Sequence, residues 1–230
     1  MKHTSYRSFL AVLSLGVSSM VMASCGGDDD SPAPQGQGNV GIAIGMSKTP
    51  APVPGSTGTL AFTTGYVVIS EVEFKGKQSN GSTVSFEQKQ VTTLDLATGL
   101  ASPNLLLNIP AGTYKEVKLE VEIKDEDNRP SIVTEGTYTN AAGVATPVRF
   151  EFNSGESFEA ESKREVTLAA NTPVTSKIQF EPRVWFASIT ATQLDNAQRV
   201  NGRILINESS NRALFDIVAD RLDDLTETTF

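Results

Sequence analysis

Residues 114–124, YKEVKLEVEIK, constrain the fold of this chain more than any other stretch. Apolar and charged side chains alternate here without interruption. This period of two is typical of a β-strand with one face buried and the other in water. The buried face is predicted to consist of Val117, Leu119, Val121 and Ile123, and the wet face of Lys118, Glu120, Glu122 and Lys124. The chain must therefore supply further strands that cover the apolar face.

Many shorter segments rich in β-branched and aromatic residues follow one another, separated by Gly, Asn and Pro at turn spacing. The predicted strands are residues 40–46, 65–75, 83–86, 91–96, 105–109, 132–138, 148–152, 158–168 and 174–180. Numerous short strands with frequent turn signals favour an antiparallel β-sandwich. We therefore predict a mainly β domain over residues 39–181.

The last part of the chain has a different pattern. Ser210 is a suitable N-cap, and the segment after it has apolar side chains at helical spacing. These are Leu214, Ile217, Val218, Leu222 and Leu225. A second short helix is predicted near Trp185. Residues 182–230 are thus expected to form a C-terminal extension, with an amphipathic helix that packs on the same domain.

The N-terminal 24 residues have the organisation of a secretion signal. Lys2 and Arg7 precede an apolar stretch over residues 9–23, which is too short to span a bilayer comfortably. Small residues then lead to Cys25, the only cysteine, in the manner of a lipobox. Residues 1–24 are therefore predicted to be a lipoprotein signal peptide, with Cys25 lipidated and serving as the membrane anchor. An ordinary signal peptide or a short membrane anchor is the alternative.

Residues 25–38 are predicted to be an acidic, extended tether. The residue after the cysteine is Gly26 rather than Asp, which argues against retention in the inner membrane. Asp28, Asp29 and Asp30 resemble the export signal of surface-displayed lipoproteins in certain Gram-negative bacteria. A merely solvated acidic linker is the alternative. The predicted location is the outer membrane, lipid-anchored and facing the cell surface.

Composition excludes several function classes. Removal of residues 1–24 takes away the only histidine and two basic residues, so the net charge changes from −8 to −10. Such a charge disfavours nucleic acid as a partner. Without an imidazole or a free thiol, serine–histidine and cysteine–histidine catalysis and the usual zinc sites are excluded. We expect no enzyme activity and no cofactor.

Two groups of residues are candidate sites. Asp125, Asp127 and Asn128 lie at a predicted hairpin tip and are a weak calcium candidate, although a plain acidic turn explains them better. Trp185 and Phe186 are candidates for ligand binding, because sugar-binding platforms stack rings on aromatic side chains. Burial in the core is the favoured alternative for Trp185.

One part of the chain resembles a known family. The residues concerned are TLDLA at 93–97, LL at 105–106, IPAGTY at 109–114 and VKL at 117–119. They resemble a family of bacterial outer-membrane lipoproteins labelled only as a domain of unknown function, with an "lPAGtY…vrL" motif. The match is best over residues 91–124 and looser over 39–181. The resemblance implies a prealbumin-like β-sandwich with a Pro-Gly turn before a core strand, and it implies no catalytic residues.

Two functions are compatible with these features. The first is a non-enzymatic surface module for adhesion or envelope assembly, with an envelope protein as partner. The second is a ligand- or glycan-binding lipoprotein of an outer-membrane uptake system. A flat polar face or an unpaired strand edge would favour the first function, and an exposed aromatic cluster would favour the second.

Overall fold

The computed structural model describes residues 36–125, 129–222 and 226–229, all within the unit Pro34–Phe230. The fold is mainly β, as predicted, with two sheets and three short helices. The strands are β1 (Gln37–Met46), β2 (Ala51–Pro52), β3 (Thr59–Gln78), β4 (Thr83–Asp95), β5 (Ala101–Ser102), β6 (Leu106–Pro110), β7 (Gly112–Ile123), β8 (Ile132–Thr139), β9 (Ala145–Phe152), β10 (Ser157–Ser162), β11 (Val166–Leu168), β12 (Pro173–Phe180), β13 (Arg199–Val200), β14 (Arg203–Ile206) and β15 (Thr226–Thr229). The helices are α1 (Pro182–Trp185), α2 (Ala191–Asp195) and α3 (Arg212–Ala219).

The larger sheet is organised around β3, a strand of 20 residues. Its first half pairs with β8, and its second half pairs with β7 on the same side. On its other side β3 pairs with β4. Register shifts after Phe62 and Ile69 mark the irregular points along the strand. The order of the sheet is β10-β7-β3-β8-β9-β14-β13, with β4 and β2 on β3, β5 on β4, and β11 on β7.

The smaller sheet has the order β15-β12-β1-β6. Its central pair, β1 and β12, is parallel, whereas β6 and β15 pair antiparallel with their neighbours. In the larger sheet β14 also pairs parallel with β9. The sandwich is therefore antiparallel in most of its strand pairs but contains two parallel ones. β1 begins at Gln37, two residues before the predicted start of the domain.

A single apolar core contains side chains from both sheets and from the helices. In β7 the predicted buried face is confirmed: Val117, Leu119, Val121 and Ile123 are each at most 1% exposed. In β1 every second residue from Val40 to Met46 is buried. Since Leu119 lies in the same core as Ile44, the two sheets bury their apolar faces against each other.

The helical segments pack against the larger sheet through aromatic rings. The ring of Phe186, next to α1, lies 4.8 Å from that of Phe62 in β3. The ring of Phe215 in α3 lies 6.0 Å from that of Phe150 in β9. The C-terminal residues therefore contribute to the same core as the strands.

The predicted start of the C-terminal helix is wrong by one residue. The N-cap is Asn211 rather than Ser210, and Asn211 has a left-handed φ of 53°. Ser210 instead closes a turn with Asn207, whose Oδ1 accepts the Ser210 amide at 2.8 Å. The helix ends at Ala219, so Leu222 is buried just beyond it, and Leu225 lies outside the described residues. Near Trp185 the predicted short helix exists, but it begins at Pro182.

Two strand predictions also differ from the structure. Residues 158–168 form two strands, β10 and β11, because the chain leaves the ladder at residues 163–165 and then pairs again with β7. In contrast, residues 83–86 and 91–96 belong to one continuous strand, β4. Of the polar residues between them, Glu87, Gln88 and Lys89 keep their pairing with β3, and Gln90 and Val91 form a bulge opposite Ser70.

Candidate interaction surface

Among the residues that the structure describes, no strand pairs with one side of β4 over most of its length. β3 occupies the other side, and β5 reaches the open side only opposite Thr93 and Leu94. Within the described residues, no strand and no backbone hydrogen bond outside the β3 ladder involves the stretch from Ser85 to Val91. We call the open side of Ser85–Val91 the β4 edge. Its outward amide and carbonyl groups are available to an added strand.

The side chains of the β4 edge alternate between two environments. Glu87 and Lys89 lie on the outer face, with 49% and 69% of their side chains exposed. Val91 is 50% exposed, which is unusual for a large apolar residue in this domain. On the inner side Phe86 packs against the core, and Gln88 donates to Gln90 at 2.9 Å. The edge thus offers one apolar, one acidic and one basic side chain to a neighbour.

The edge is bounded at its C-terminal end. The Gln90 side chain donates from Nε2 to the carbonyl oxygen of Asn104 at 3.4 Å, and the Thr92 hydroxyl contacts the carbonyl of Pro103. The segment before β6 therefore lies alongside β4 from Gln90 onward. Regular backbone without such a neighbour extends only to Lys89.

The outer face next to this edge carries a row of four glutamates. The register places Glu87, Glu73, Glu120 and Glu159 side by side on β4, β3, β7 and β10. Like charges directly opposite each other repel, so this row needs compensating cations. The lysines that supply these cations lie two residues from a glutamate along the same strand, on the same face of the sheet.

Lys75 lies 2.6 Å from Glu73, and its hydrogen bond is the main reason that the pKa of Glu73 is lowered. Lys118 contacts both Glu120 and Glu159, and the hydrogen bond to Glu159 raises the pKa of Lys118. At the β4 end of the row, Glu87 pairs with Lys89 at 2.9 Å, and Lys89 also faces Glu71 at 3.5 Å. Each of these two lysines, Lys118 and Lys89, is thus shared by two carboxylates.

A shallow polar cleft of about 340 Å³ lies at another place in the larger sheet. Arg129, Glu151 and Asn207 are among its lining residues, and no aromatic ring lines it. Glu151 accepts hydrogen bonds from Arg149 at 2.5 Å and from Asn207 at 2.8 Å. Burial alone would lower the pKa of Arg149, but its bonds to Glu135 and Glu151 raise it. The Glu151 carboxylate in this cleft is thus already engaged by protein groups.

The structure places the sequence-predicted candidates in different environments. Trp185 is 0% and Phe186 3% exposed, so both rings lie in the core and present no face to solvent. Asp125 is exposed, whereas Asp127 and Asn128 lie outside the described residues. Cys25 and the predicted export residues Asp28, Asp29 and Asp30 also lie outside them. In the described part of the chain, no three His, Cys, Asp or Glu side chains are arranged to hold a metal ion.

Comparison with known proteins gave no relative. No family model, no curated protein and no solved structure matches this chain. The resemblance at residues 93–119 therefore remains a prediction. None of the helices in the described residues is long and apolar enough to cross a membrane.

The sequence pattern does not identify the β4 edge, because the polar residues at its centre predict a break between two strands. One signal was present. Residues 83–91, TVSFEQKQV, alternate between exposed and half-buried side chains and never reach full burial. A strand of this kind, with neither face completely covered, is typical of a sheet margin.

Proposed function

We propose that this protein is a non-enzymatic interaction module of the cell envelope, anchored by lipid at Cys25 and displayed at the cell surface. The anchor is supported by the secretion-type N-terminus and the single cysteine that follows it. Surface display is supported by Asp28, Asp29 and Asp30 directly behind the anchor. Adhesion or envelope assembly is the role that such a module would serve.

The observation that carries the proposed function is the β4 edge. An extended segment of another protein that adds to a free edge gains main-chain hydrogen bonds along its length, and alternate side chains then set specificity. Among the described residues, no strand pairs with this side of Ser85–Val91, and Ser85–Lys89 keeps a regular register with β3. Natural proteins usually shorten, cover or distort a long edge. Here β5 covers the last residues of β4 and a bulge distorts Gln90 and Val91, which leaves Ser85–Lys89 as regular, uncovered backbone.

Binding of a small ligand or a glycan is the second candidate, and the cleft at Arg129 and Glu151 is what favours it. Its volume of about 340 Å³ lies at the lower end of the range for small-molecule sites. Glycan platforms, however, rely on exposed rings, and Trp185 and Phe186 are buried. The interaction module is therefore the better-supported function.

Site-specific photocrosslinking in intact cells tests the proposed function. A benzophenone amino acid is placed at Lys89, on the β4 edge, and in a control chain at Lys177, an exposed lysine on β12 of the smaller sheet. We expect a discrete protein adduct from position 89 and none from position 177. Absence of any adduct at 89, or equal labelling at both positions, would contradict the proposal.

A further inference from the structure

We infer that the occupant of the β4 edge is the same edge of a second copy of this chain, added antiparallel about a two-fold axis at Gln88. This inference rests on the proposed function and names its partner. About a two-fold axis perpendicular to the sheet, each residue of one copy lies opposite a residue of the other, and the two residue numbers add up to the same value in every pair. With the axis at Gln88, Glu87 of each copy lies opposite Lys89 of the other.

The charges of Glu87 and Lys89 favour this register over the two registers in which the axis is shifted by one residue. With the axis shifted to Glu87, two carboxylates would face each other at the centre, and with the axis at Lys89, two ammonium groups would do so. Both arrangements are destabilising, because directly opposed side chains in antiparallel strands lie only about 5 Å apart. With the axis at Gln88, two opposite-charge pairs form instead. The sequence Glu87-Gln88-Lys89 is thus complementary to itself.

The same register relieves the acidic row. In one copy, the row Glu159, Glu120, Glu73 and Glu87 ends at the β4 edge with its last carboxylate exposed. Pairing about Gln88 continues this row into Lys89 of the second copy. Glu87, which shares its own Lys89 with Glu71, then also faces the Lys89 of the second copy.

The pairing is regular at its centre. Residues Glu87–Lys89 keep a regular register with β3, whereas Gln90 and Val91 form a bulge opposite Ser70. The central pairs about the two-fold axis therefore form on regular backbone, and the bulge limits the pairing beyond them. β5 begins to occupy the edge only at Thr93, so the dimer displaces no existing strand.

Cysteine crosslinking of the full-length protein in membranes tests the register. Under mild oxidation, Gln88→Cys should give disulfide-linked dimers, because the two copies of residue 88 are directly paired at a separation that a disulfide can bridge. Ser85→Cys is the matched control, since its two copies would be six positions apart, about 20 Å. The unmodified chain, with Cys25 alone, controls for the natural cysteine. Dimers from both variants, or from neither, would overturn the register.

Charge reversal provides an independent measurement. Glu87→Lys and Lys89→Glu should each reduce the crosslinked fraction of Gln88→Cys at least tenfold, because each places like charges opposite one another. The double reversal, Glu87→Lys with Lys89→Glu, should restore crosslinking to near its original level. A double variant no better than the singles would contradict the predicted pairs.

The outcomes separate this inference from the proposed function. If Gln88→Cys stays monomeric while benzophenone at Lys89 still forms an adduct with a different protein, the second copy is the wrong occupant and the interaction module stands. If benzophenone at Lys89 forms no adduct of any kind and Gln88→Cys stays monomeric, both fail. An unchanged thermal melt of each cysteine variant shows that the domain remains folded.

Discussion

Leu119 and Glu120 are neighbours in β7 and have opposite environments. Leu119 is fully buried, whereas Glu120 lies on the outer face beside Lys118. We predict that Leu119→Ala lowers the free energy of unfolding by about 2–5 kcal/mol, as is usual when a core site is emptied. Glu120→Ala should cost under about 0.5 kcal/mol, since ordinary surface changes cost little. Urea unfolding of both variants checks this, and the reverse order would mean that the strand register is wrong.

The carboxylate of Asp95 makes the stability of the fold depend on pH. Its Oδ1 accepts the backbone amides of Thr98 and Ala97, each at 2.8 Å, where β4 ends. The bond from the Thr98 amide is the main reason that the pKa of Asp95 lies below the ordinary value of 3.8, although burial opposes it. The folded state therefore favours the charged carboxylate, whose contribution is complete above pH 3.8 and is lost as the pH falls through the lowered folded value.

Asp95→Asn should accordingly melt slightly below the unmodified chain at pH 7. The difference should stay under about 1 kcal/mol, because the side chain is exposed and solvent screens its interactions. As the pH falls below 3.8 and the natural carboxylate becomes protonated, the two melting temperatures should converge. Thermal melts between pH 7 and pH 2 measure this. A gap that widens toward acid would contradict the role assigned to the carboxylate.

Individual strands could be predicted from the sequence where one face is fully buried. β7 has strict alternation, and its buried face is correct at every position from Val117 to Ile123. β4 could not be recognised as one strand, because its edge position leaves Glu87–Gln90 partly wet on both faces. The apolar and polar pattern of a segment indicates which of its side chains are buried. At the edge of a sheet, burial depends on neighbouring strands from distant parts of the chain, which the segment itself does not reveal.

The pairing of distant strands was also beyond sequence patterns. β1 pairs parallel with β12, so that Asn39 lies beside Pro173. Periodicity shows which face of a strand is buried but not which strand lies next to it. For the same reason the β4 edge, which is defined by the absence of a neighbour over part of one side, became visible only in the assembled sheet.

β3 and β8 approach each other closely at Gly136, where no side chain separates the two strands. At Gly136 an added Cβ would lie 1.9 Å from the carbonyl oxygen of Ala61, whereas at Gly45 in β1 the nearest atom would be the Lys177 Cε at 3.8 Å. Gly136→Ala should therefore force β3 and β8 apart and lower the free energy of unfolding by about 1–3 kcal/mol or more. Gly45→Ala, the control, should be near neutral. Denaturant unfolding distinguishes them, and equal effects would mean that β8 does not approach β3 so closely.

At the scale of the whole molecule, the proposed anchor makes a simple prediction. Cys25→Ser should release the protein from membranes, because the sequence contains one cysteine and the lipid on it is the proposed attachment. Fractionation of cells and incorporation of labelled palmitate measure this. Melting temperatures of the released and membrane-bound forms should agree, since residue 25 lies before β1. A variant that stays in the membrane fraction without label would contradict lipid anchoring.

The position of β1 between β12 and β6 has a mechanical consequence. β1 is the first strand of the described residues, and it pairs with β6 over Gln37–Gly41 and with β12 over Asn39–Met46. A pull on the N-terminus acts along β1 and therefore across its hydrogen bonds, which are roughly perpendicular to the strand on the antiparallel side and slanted on the parallel side. The bonds to both neighbours are then loaded together in shear and cannot be opened one after another, as in unzipping. The strand nearest the proposed anchor is thus the one best placed to carry tension between a membrane and whatever holds the domain from outside.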